Sequence, residues 1–413
     1  MSAFIVAIDE PRATALAREL ELEGEHVVAV TSSAAARDHL PAADAIVVPA
    51  VRGVLTADLV AACDRARVRV IALGGTDSRL LGRFGLGSGL EPDAPGWQIA
   101  DALHAGAAPT GAPPRDPSRV IAVWGPQGSP GRSTLSILLA VELARLGRRT
   151  ALVDADTVAP SLALLLGLGD DAPGIAAACR RAELGGLDGA ELTRLSSVVA
   201  TSAGDLDVLP GINRPGRWPE LSAARLTAAL RTCRTWAEET VVDVASAFDA
   251  DEEATYDVLG PRRHAATTAT LGEADAIVAV AAADPLGISR FLREHAELRS
   301  FADPASLTVV INQLRPGPLG LDARSQIRRT LERFAGINDP LFLPFDLRAA
   351  DAALLHARPM SDVTPRSALV AASRRLAASL VPGSPPAVSS ADSSRESSRA
   401  SRLLRSARAV RGG

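Results

Sequence analysis

Residues 121–156 read IAVWGPQGSPGRSTLSILLAVELARLGRRTALVDAD, and this stretch decides the fold. An apolar run, Val120–Trp124, enters a loop of small residues, Gly125–Gly131. Arg132-Ser133-Thr134 then open an apolar helix that stops near Gly147, and a second apolar run, Ala151–Val153, delivers Asp154 and Asp156. Strand, glycine-rich turn, cation with hydroxyl, helix, strand and carboxylate is the layout of a phosphate-binding loop. Successive backbone N–H groups in such a turn converge on an anion, and the helix beginning near Arg132 adds its positive end. Small residues at Gly128, Ser129 and Gly131, with Gln127 and Pro130 between and before them, let a phosphate approach the backbone. Ser133 is placed for a magnesium ion bridging phosphates.

Further carboxylates and an amide recur at predicted strand ends. Asp156 lies 24 residues after Arg132. Val241-Val242-Asp243 is an apolar strand ending in a carboxylate, the form that holds magnesium in phosphate-loop enzymes. Leu307–Ile311 runs into Asn312, an amide suited to an adenine edge. Acidic residues at strand ends are commonly plain caps and turns, but these features follow one order. Ligands of open α/β sheets bind at these carboxyl ends.

Outward from this region the chain repeats strand and helix. Strands are expected at 120–124, 151–155, 206–210, 240–244, 276–281, 307–311 and 341–343, within a domain spanning 119–380. Residues 1–104 form an earlier block, with strands at Phe4–Ile8, His26–Thr31, Ala45–Val48 and Val68–Leu73 and helical runs at Arg12–Leu22, Ala34–Leu40 and Ala57–Arg67. Both blocks therefore predict an α/β fold with parallel sheets covered by helices. Residues 105–118 (AGAAPTGAPPRDPS) read as a linker, and 381–413 as a disordered Ser/Pro/Arg-rich tail.

Composition narrows the function. With 47% hydrophobic residues the chain has ample core, yet no run reaches the roughly 18 apolar residues that cross a bilayer. The N-terminus MSAFIVAIDEPR reads as a strand, not a signal peptide. Three cysteines, Cys63, Cys179 and Cys233, lack metal spacing and read as buried residues of a reducing, cytoplasmic compartment. The net charge of −4 and 3% aromatic content argue against a general nucleic-acid binder. Every one of the 44 basic residues is arginine, so the arginine at 132 follows a chain-wide bias against lysine. Arg395, Arg399, Arg402, Arg405, Arg408 and Arg411 give the tail a basic stripe suited to weak contact with an anionic membrane surface or DNA, although a solvated tail is the simpler reading. QIRRTLERF at 326–334 reads as a solvent-facing helix, and NRPGRW at 213–218 as a partner loop or a core edge.

On these motifs, residues 119–380 resemble the ParA/MinD family of P-loop ATPases, whose loop reads KGGxGK[ST][ST]. Phe342-Leu343-Pro344-Phe345-Asp346 and the following DAALLHARPMSDVTPRS also resemble that family's C-terminal segment. The N-terminal block resembles a response-regulator receiver domain in pattern. Asp9-Glu10 stand where a receiver holds magnesium, but Ile46-Val47-Val48-Pro49 leads into Ala50 and Val51 without the phosphate-accepting aspartate. Phosphotransfer thus lacks its nucleophile, and a docking role is expected. The whole chain resembles the CpaE/TadZ branch, with relatives labelled as septum-site-determining or chromosome-partitioning proteins.

The resemblance implies ATP and magnesium as ligands and an ATP-dependent homodimer. It implies phosphate binding by Gln127, Gly128, Ser129, Pro130, Gly131, Arg132, Ser133 and Thr134. Ser133 and Asp243 would serve the metal, Asp156 would orient the attacking water, and Asn312 would contact adenine. It also implies partners in a pilus, division or partition machine, and a cytoplasmic protein reaching the inner face of the membrane. The family's signature lysine is Gln127 here, and its loop lysine is Arg132. Arginine is planar and bulkier, so the exchange is not conservative at a tight site, and slow or impaired hydrolysis is expected. A non-catalytic scaffold with the same fold is the alternative.

Overall fold

The computed structural model describes residues 2–51, 54–74, 81, 84, 86, 89–104, 118–169, 174–248, 262–302, 305–315 and 322–381. Residues 105–117 of the expected linker and 382–413 of the expected tail, including the arginines from Arg395 onward, lie outside them. The chain divides into two compact units, Met1–Ser118 with Ala172–Ser197 and Ala224–Glu238, and Arg119–Asp171 with Val198–Ala223 and Glu239–Gly413.

The first unit carries a parallel sheet of β1 (Ala3–Val6), β2 (His26–Val30), β3 (Ala45–Pro49) and β4 (Arg69–Leu73) in the order β2-β1-β3-β4. Its strands alternate faces, and both faces are apolar, as parallel sheets require. Phe4, Val6, Ala45 and Val47 pack with Leu16, Leu20 and Ile99. Ile5, Ile46 and Val48 pack with Leu40, Leu59 and Cys63. The helix Arg12–Leu22 has the expected bounds, whereas Ala35–Ala42, which contains Pro41, winds as a 3-10 helix. Pro41 has no N–H to close an α-helical bond there.

The second unit holds an eight-stranded sheet. Its strands are β5 (Arg119–Trp124), β6 (Thr150–Asp154), β7 (Ser197–Thr201), β8 (Gly204–Leu209), β9 (Glu239–Asp243), β10 (Ala276–Ala282), β11 (Ser306–Leu314) and β12 (Leu341–Pro344). The order is β12-β11-β10-β5-β9-β6-β8-β7, with parallel pairing from β12 through β8. All seven expected strands are present with shifts of a few residues at their ends. The edge strand β7 was not foreseen, because SVVAT is short and follows a helix directly.

The helix Arg132–Arg145 explains why its sequence is apolar nearly all round. Every residue from Leu135 to Leu143 is buried. One side meets the sheet at Ile121, Val123, Leu152 and Val241, and the other meets Leu369, Val370 and Leu376 of the helix Ala368–Leu380. Within this core Glu142 is fully buried, and its charge is answered by Arg374 Nε at 2.9 Å and Arg145 Nε at 3.1 Å. A second buried carboxylate, Glu239 at the start of β9, pairs with Arg119 at 2.7 Å and Arg148 at 3.6 Å. Burial raises the Glu239 pKa and the Arg119 guanidinium opposes that rise.

Candidate functional site

The central strand β5 ends in a loop that returns at once into a helix. Ser129 N–H donates to Pro126 O at 3.0 Å, closing the turn. Gly128 and Gly131 take positive φ angles of 80° and 85°, conformations in which a side chain is strained. Gly131 is the residue before the helix and supplies no side-chain cap. The first N–H groups of Arg132–Arg145 are therefore left without an intrahelical or side-chain acceptor, the condition that makes a helix start an anion site. Ser129 Oγ is buried and has no hydrogen-bond partner among the described residues.

Three carboxylates approach this helix start. Asp243 ends β9, Asp154 ends β6, and Asp156 follows it; all three are buried. Asp154 accepts N–H bonds from Ser161 at 2.9 Å, Leu162 at 3.0 Å and Asp156 at 3.2 Å. Even so, burial first and the nearby Asp243 second hold its pKa well above the usual carboxylate range. Burial likewise pushes Asp243 up to about 6, with the Ser133 and Ser136 hydroxyls and Arg132 pulling the other way. Asp156 Oδ1 accepts the N–H groups of Val158 and Ala159, each at 2.8 Å, which fixes the carboxylate at the strand tip.

Arg132 joins the two sides of the site. Its Nη1 donates to Gly125 O at 2.7 Å, and its Nη2 lies 3.8 Å from Asp156 Oδ2. Ser133 Oγ lies 3.0 Å from Ser161 Oγ. The donor set suits magnesium: hydroxyl and carboxylate oxygens only, with Asp243 Oδ2 buried and lacking a hydrogen-bond partner. Among the described residues no three His, Cys, Asp or Glu side chains form a metal cage. Magnesium held by Ser133 and Asp243 would draw its other ligands from phosphate and water.

Beside the helix start lies a cleft of about 110 Å³, lined by Gly131, Thr134, Asn312, Gln313, Pro344 and Phe345 among others. Asn312 borders it, but its Nδ2 donates to Pro130 O at 2.9 Å, so the amide also anchors the phosphate loop. A Cβ at Gly131 would lie 2.5 Å from that same Nδ2. The structure thus brings Gln127 through Thr134, Asp156, Asp243 and Asn312 to one end of the sheet.

Several residues at this end were not assigned roles from sequence. Ser136, one helical turn from Arg132, reaches Asp243 Oδ1 at 3.0 Å, and its i+4 spacing was a usable signal. Asp154 stood in the quoted stretch, but what distinguishes it from Asp156 is that it accepts the Ser161 and Leu162 N–H groups, a return contact that spacing does not give. Ser161 and Arg290 arrive from segments whose direction sequence periodicity does not give. Arg290 Nη1 donates to Gln127 O at 3.1 Å.

Elsewhere, the Glu10 carboxylate accepts the Thr14 hydroxyl at 2.7 Å and its N–H at 3.2 Å, so it serves as a local cap. Trp218 sits in the 3-10 turn Pro215–Leu221 with Arg263 over its ring at 5.4 Å. The helix Ala323–Ala335 buries Ile327 and Leu331 and turns most of its arginines outward, as expected.

Residues 121–359 match the family described as CobQ/CobB/MinD/ParA nucleotide binding domain. No curated protein matches the chain. Among solved structures, a ParA family ATPase from Chlorobium tepidum is 17% identical with a TM-score of 0.52, covering 63% of this chain and 97% of its own. The septum site-determining protein MinD from Pyrococcus horikoshii, complexed with Mg-ADP, is 15% identical with a TM-score of 0.50, covering 64% and 96%. The cell division ATPase MinD of Pyrococcus furiosus gives 17%, 0.50, 63% and 97%. At these identities the likeness is one of fold.

Proposed function

Given that the chain belongs to the CobQ/CobB/MinD/ParA nucleotide-binding family, we propose that it is an ATP- and magnesium-binding switch that dimerises with nucleotide and positions a cellular machine. The observation that carries this reading is the convergence of an uncapped helix start, the orphaned Ser129 hydroxyl and the orphaned Asp243 Oδ2 at one sheet end. Gly128–Thr134 would receive the phosphates, and Gln127 would border them. Ser133 and Asp243 would hold the metal, and magnesium, when bound, neutralises charge on phosphate oxygens. Asp156, pinned by two backbone N–H groups, would orient a water. Asn312 Nδ2 keeps the loop in place, and its carbonyl oxygen would accept from an adenine amine.

The finer assignment is to the CpaE/TadZ-like branch, with a receiver-like domain at 1–104, a linker at 105–118, the ATPase domain at 119–380 and a tail at 381–413. The order β2-β1-β3-β4 supports the receiver-like part, and the lack of an acceptor aspartate supports docking as its role. The machine served is a pilus, division or partition assembly. The protein acts in the cytoplasm and at the inner face of the membrane, with the arginine-rich tail giving weak contact to membrane or DNA. Among the described residues no helix is long and apolar enough to cross a membrane.

Hydrolysis is slow in this reading, because the loop's own cation is drawn onto Gly125 O and toward Asp156. The same observation favours a second reading, a scaffold that binds ATP without turnover. Nucleotide binding, turnover and mass in solution, with and without magnesium, test both against Arg132→Ala and Asp156→Ala. Magnesium-dependent binding lost in Arg132→Ala, a nucleotide-dependent dimer, and slow turnover lost in Asp156→Ala are expected. Binding without turnover selects the scaffold; no binding overturns both.

A further inference from the structure

The phosphate loop is contacted by a second arginine from outside its own segment. Asp284 Oδ1 accepts the Gly287 N–H at 2.7 Å and Pro285 opens the helix Pro285–Ala302, so this helix starts firmly at the end of β10. Gly287 lies so close to β10 that a Cβ there would meet Ala282 Cβ at 2.6 Å. This fixed start directs Arg290 to the tip of the loop. Its Nη1 lies 3.1 Å from Gln127 O, and a Cβ placed on Gly128 would be 2.2 Å from the same nitrogen.

We propose that Arg290 is a phosphate-binding residue of the site, which engages the terminal phosphate of a nucleoside triphosphate and so distinguishes triphosphate from diphosphate. This rests on the nucleotide reading above. A guanidinium has five N–H donors in a rigid fork, and it binds phosphate in bidentate fashion more strongly than it binds a neutral carbonyl. Here one donor reaches a backbone carbonyl, and among the described residues no carboxylate forms an ion pair with Arg290. The same Nη1 lies beside Gly128, within the run of small residues proposed as the anion cradle, and contacts among the described residues leave the other guanidinium donors uncommitted. Arg132 is drawn to Gly125 O and toward Asp156, and Gln127 is neutral. Arg290 is therefore the cation at the loop's outer tip. Phosphates seated against the helix start leave a further phosphate to project toward that tip, which a diphosphate does not occupy.

The test compares full-length wild type, Arg290→Ala and Arg290→Lys in equilibrium binding of ADP and of a non-hydrolysable ATP analogue, both with magnesium. Arg290→Ala is expected to weaken the triphosphate about tenfold or more and ADP by less than about twofold, the scale of one charge-assisted contact. Arg290→Lys keeps the charge and recovers part of the loss. Arg290→Gln, which keeps length without charge, repeats the comparison if alanine disturbs the helix as judged by thermal unfolding. Equal losses for both ligands, or no loss for either, overturn the proposal and leave the nucleotide reading standing. A wild type that binds neither nucleotide overturns that reading, and this assignment with it.

Discussion

Ser136 Oγ lies 3.0 Å from Asp243 Oδ1 and 3.0 Å from Arg132 O. The hydroxyl has one proton, so it serves one of these oxygens at a time. Asp243 is thus a buried carboxylate whose Ser136 donor is shared, with the Ser133 hydroxyl and Arg132 also favouring its charge against burial.

A pH dependence of stability follows for the metal-free protein. The folded Asp243 pKa, about 6, lies above its ordinary value of 3.8. Between these values the folded state keeps a proton that the unfolded state releases, so stability is greatest below the lower value and falls as pH rises through the upper one. The raised pKa of Asp154 acts in the same direction. The loss from Asp243 alone is on the order of 3 kcal/mol. Urea unfolding from pH 4 to 7 in the presence of a chelator should show it, and Asp243→Asn should flatten the profile.

Gly131→Ala should damage the loop in two ways. Its φ of 85° is unfavourable for alanine, and the new Cβ would lie 2.5 Å from Asn312 Nδ2. A cost of about 1–2 kcal/mol and at least a severalfold loss of nucleotide affinity are expected, since the loop must shift. Calorimetric titration and thermal unfolding read the two effects.

Asn312→Ala separates an anchor from a base reader. Loss of the bond to Pro130 O alone would weaken ATP and GTP equally. The proposed contact of the amide carbonyl with adenine would make ATP weaken more, by about tenfold against GTP, because guanine presents an acceptor where adenine presents an amine. Parallel titrations with the two nucleotides decide it.

Arg119→Ala should destabilise the second unit by about 3 kcal/mol, the scale for leaving one member of a buried ion pair uncompensated. Glu239 is fully buried, and Arg119 at 2.7 Å is its nearer partner than Arg148 at 3.6 Å. The Arg119→Ala, Glu239→Gln double variant should recover part of the loss, measured by urea unfolding.

The sequence made the phosphate loop, its strand and its helix legible because they are continuous: each depends on neighbours a few residues away. Asp156 and Asp243 could also be found, since apolar strands ending in carboxylates announce themselves. What continuity does not carry is direction. Arg290 and Ser161 enter the site because a helix and a loop return to it. The second contact of Asn312, to Pro130, depends on β11 lying two strands from β5. The fold of Arg132 onto Gly125 O was likewise beyond a reading of spacing. The 3-10 turn at Ala35–Ala42 was readable in principle from Pro41.

The placement of β5 between β9 and β10 has a consequence for synthesis. Its neighbours pair with it across gaps of 120 residues at Arg119–Glu239 and 155 at Val120–Asp275. As the chain leaves the ribosome, the phosphate loop emerges long before the strands that flank it. Pairings this distant form late and slowly, so a nascent chain exposes Val120–Trp124 as an unpaired apolar edge through much of its elongation. The interval in which this protein most needs a chaperone is therefore set by where its central strand stands in the message.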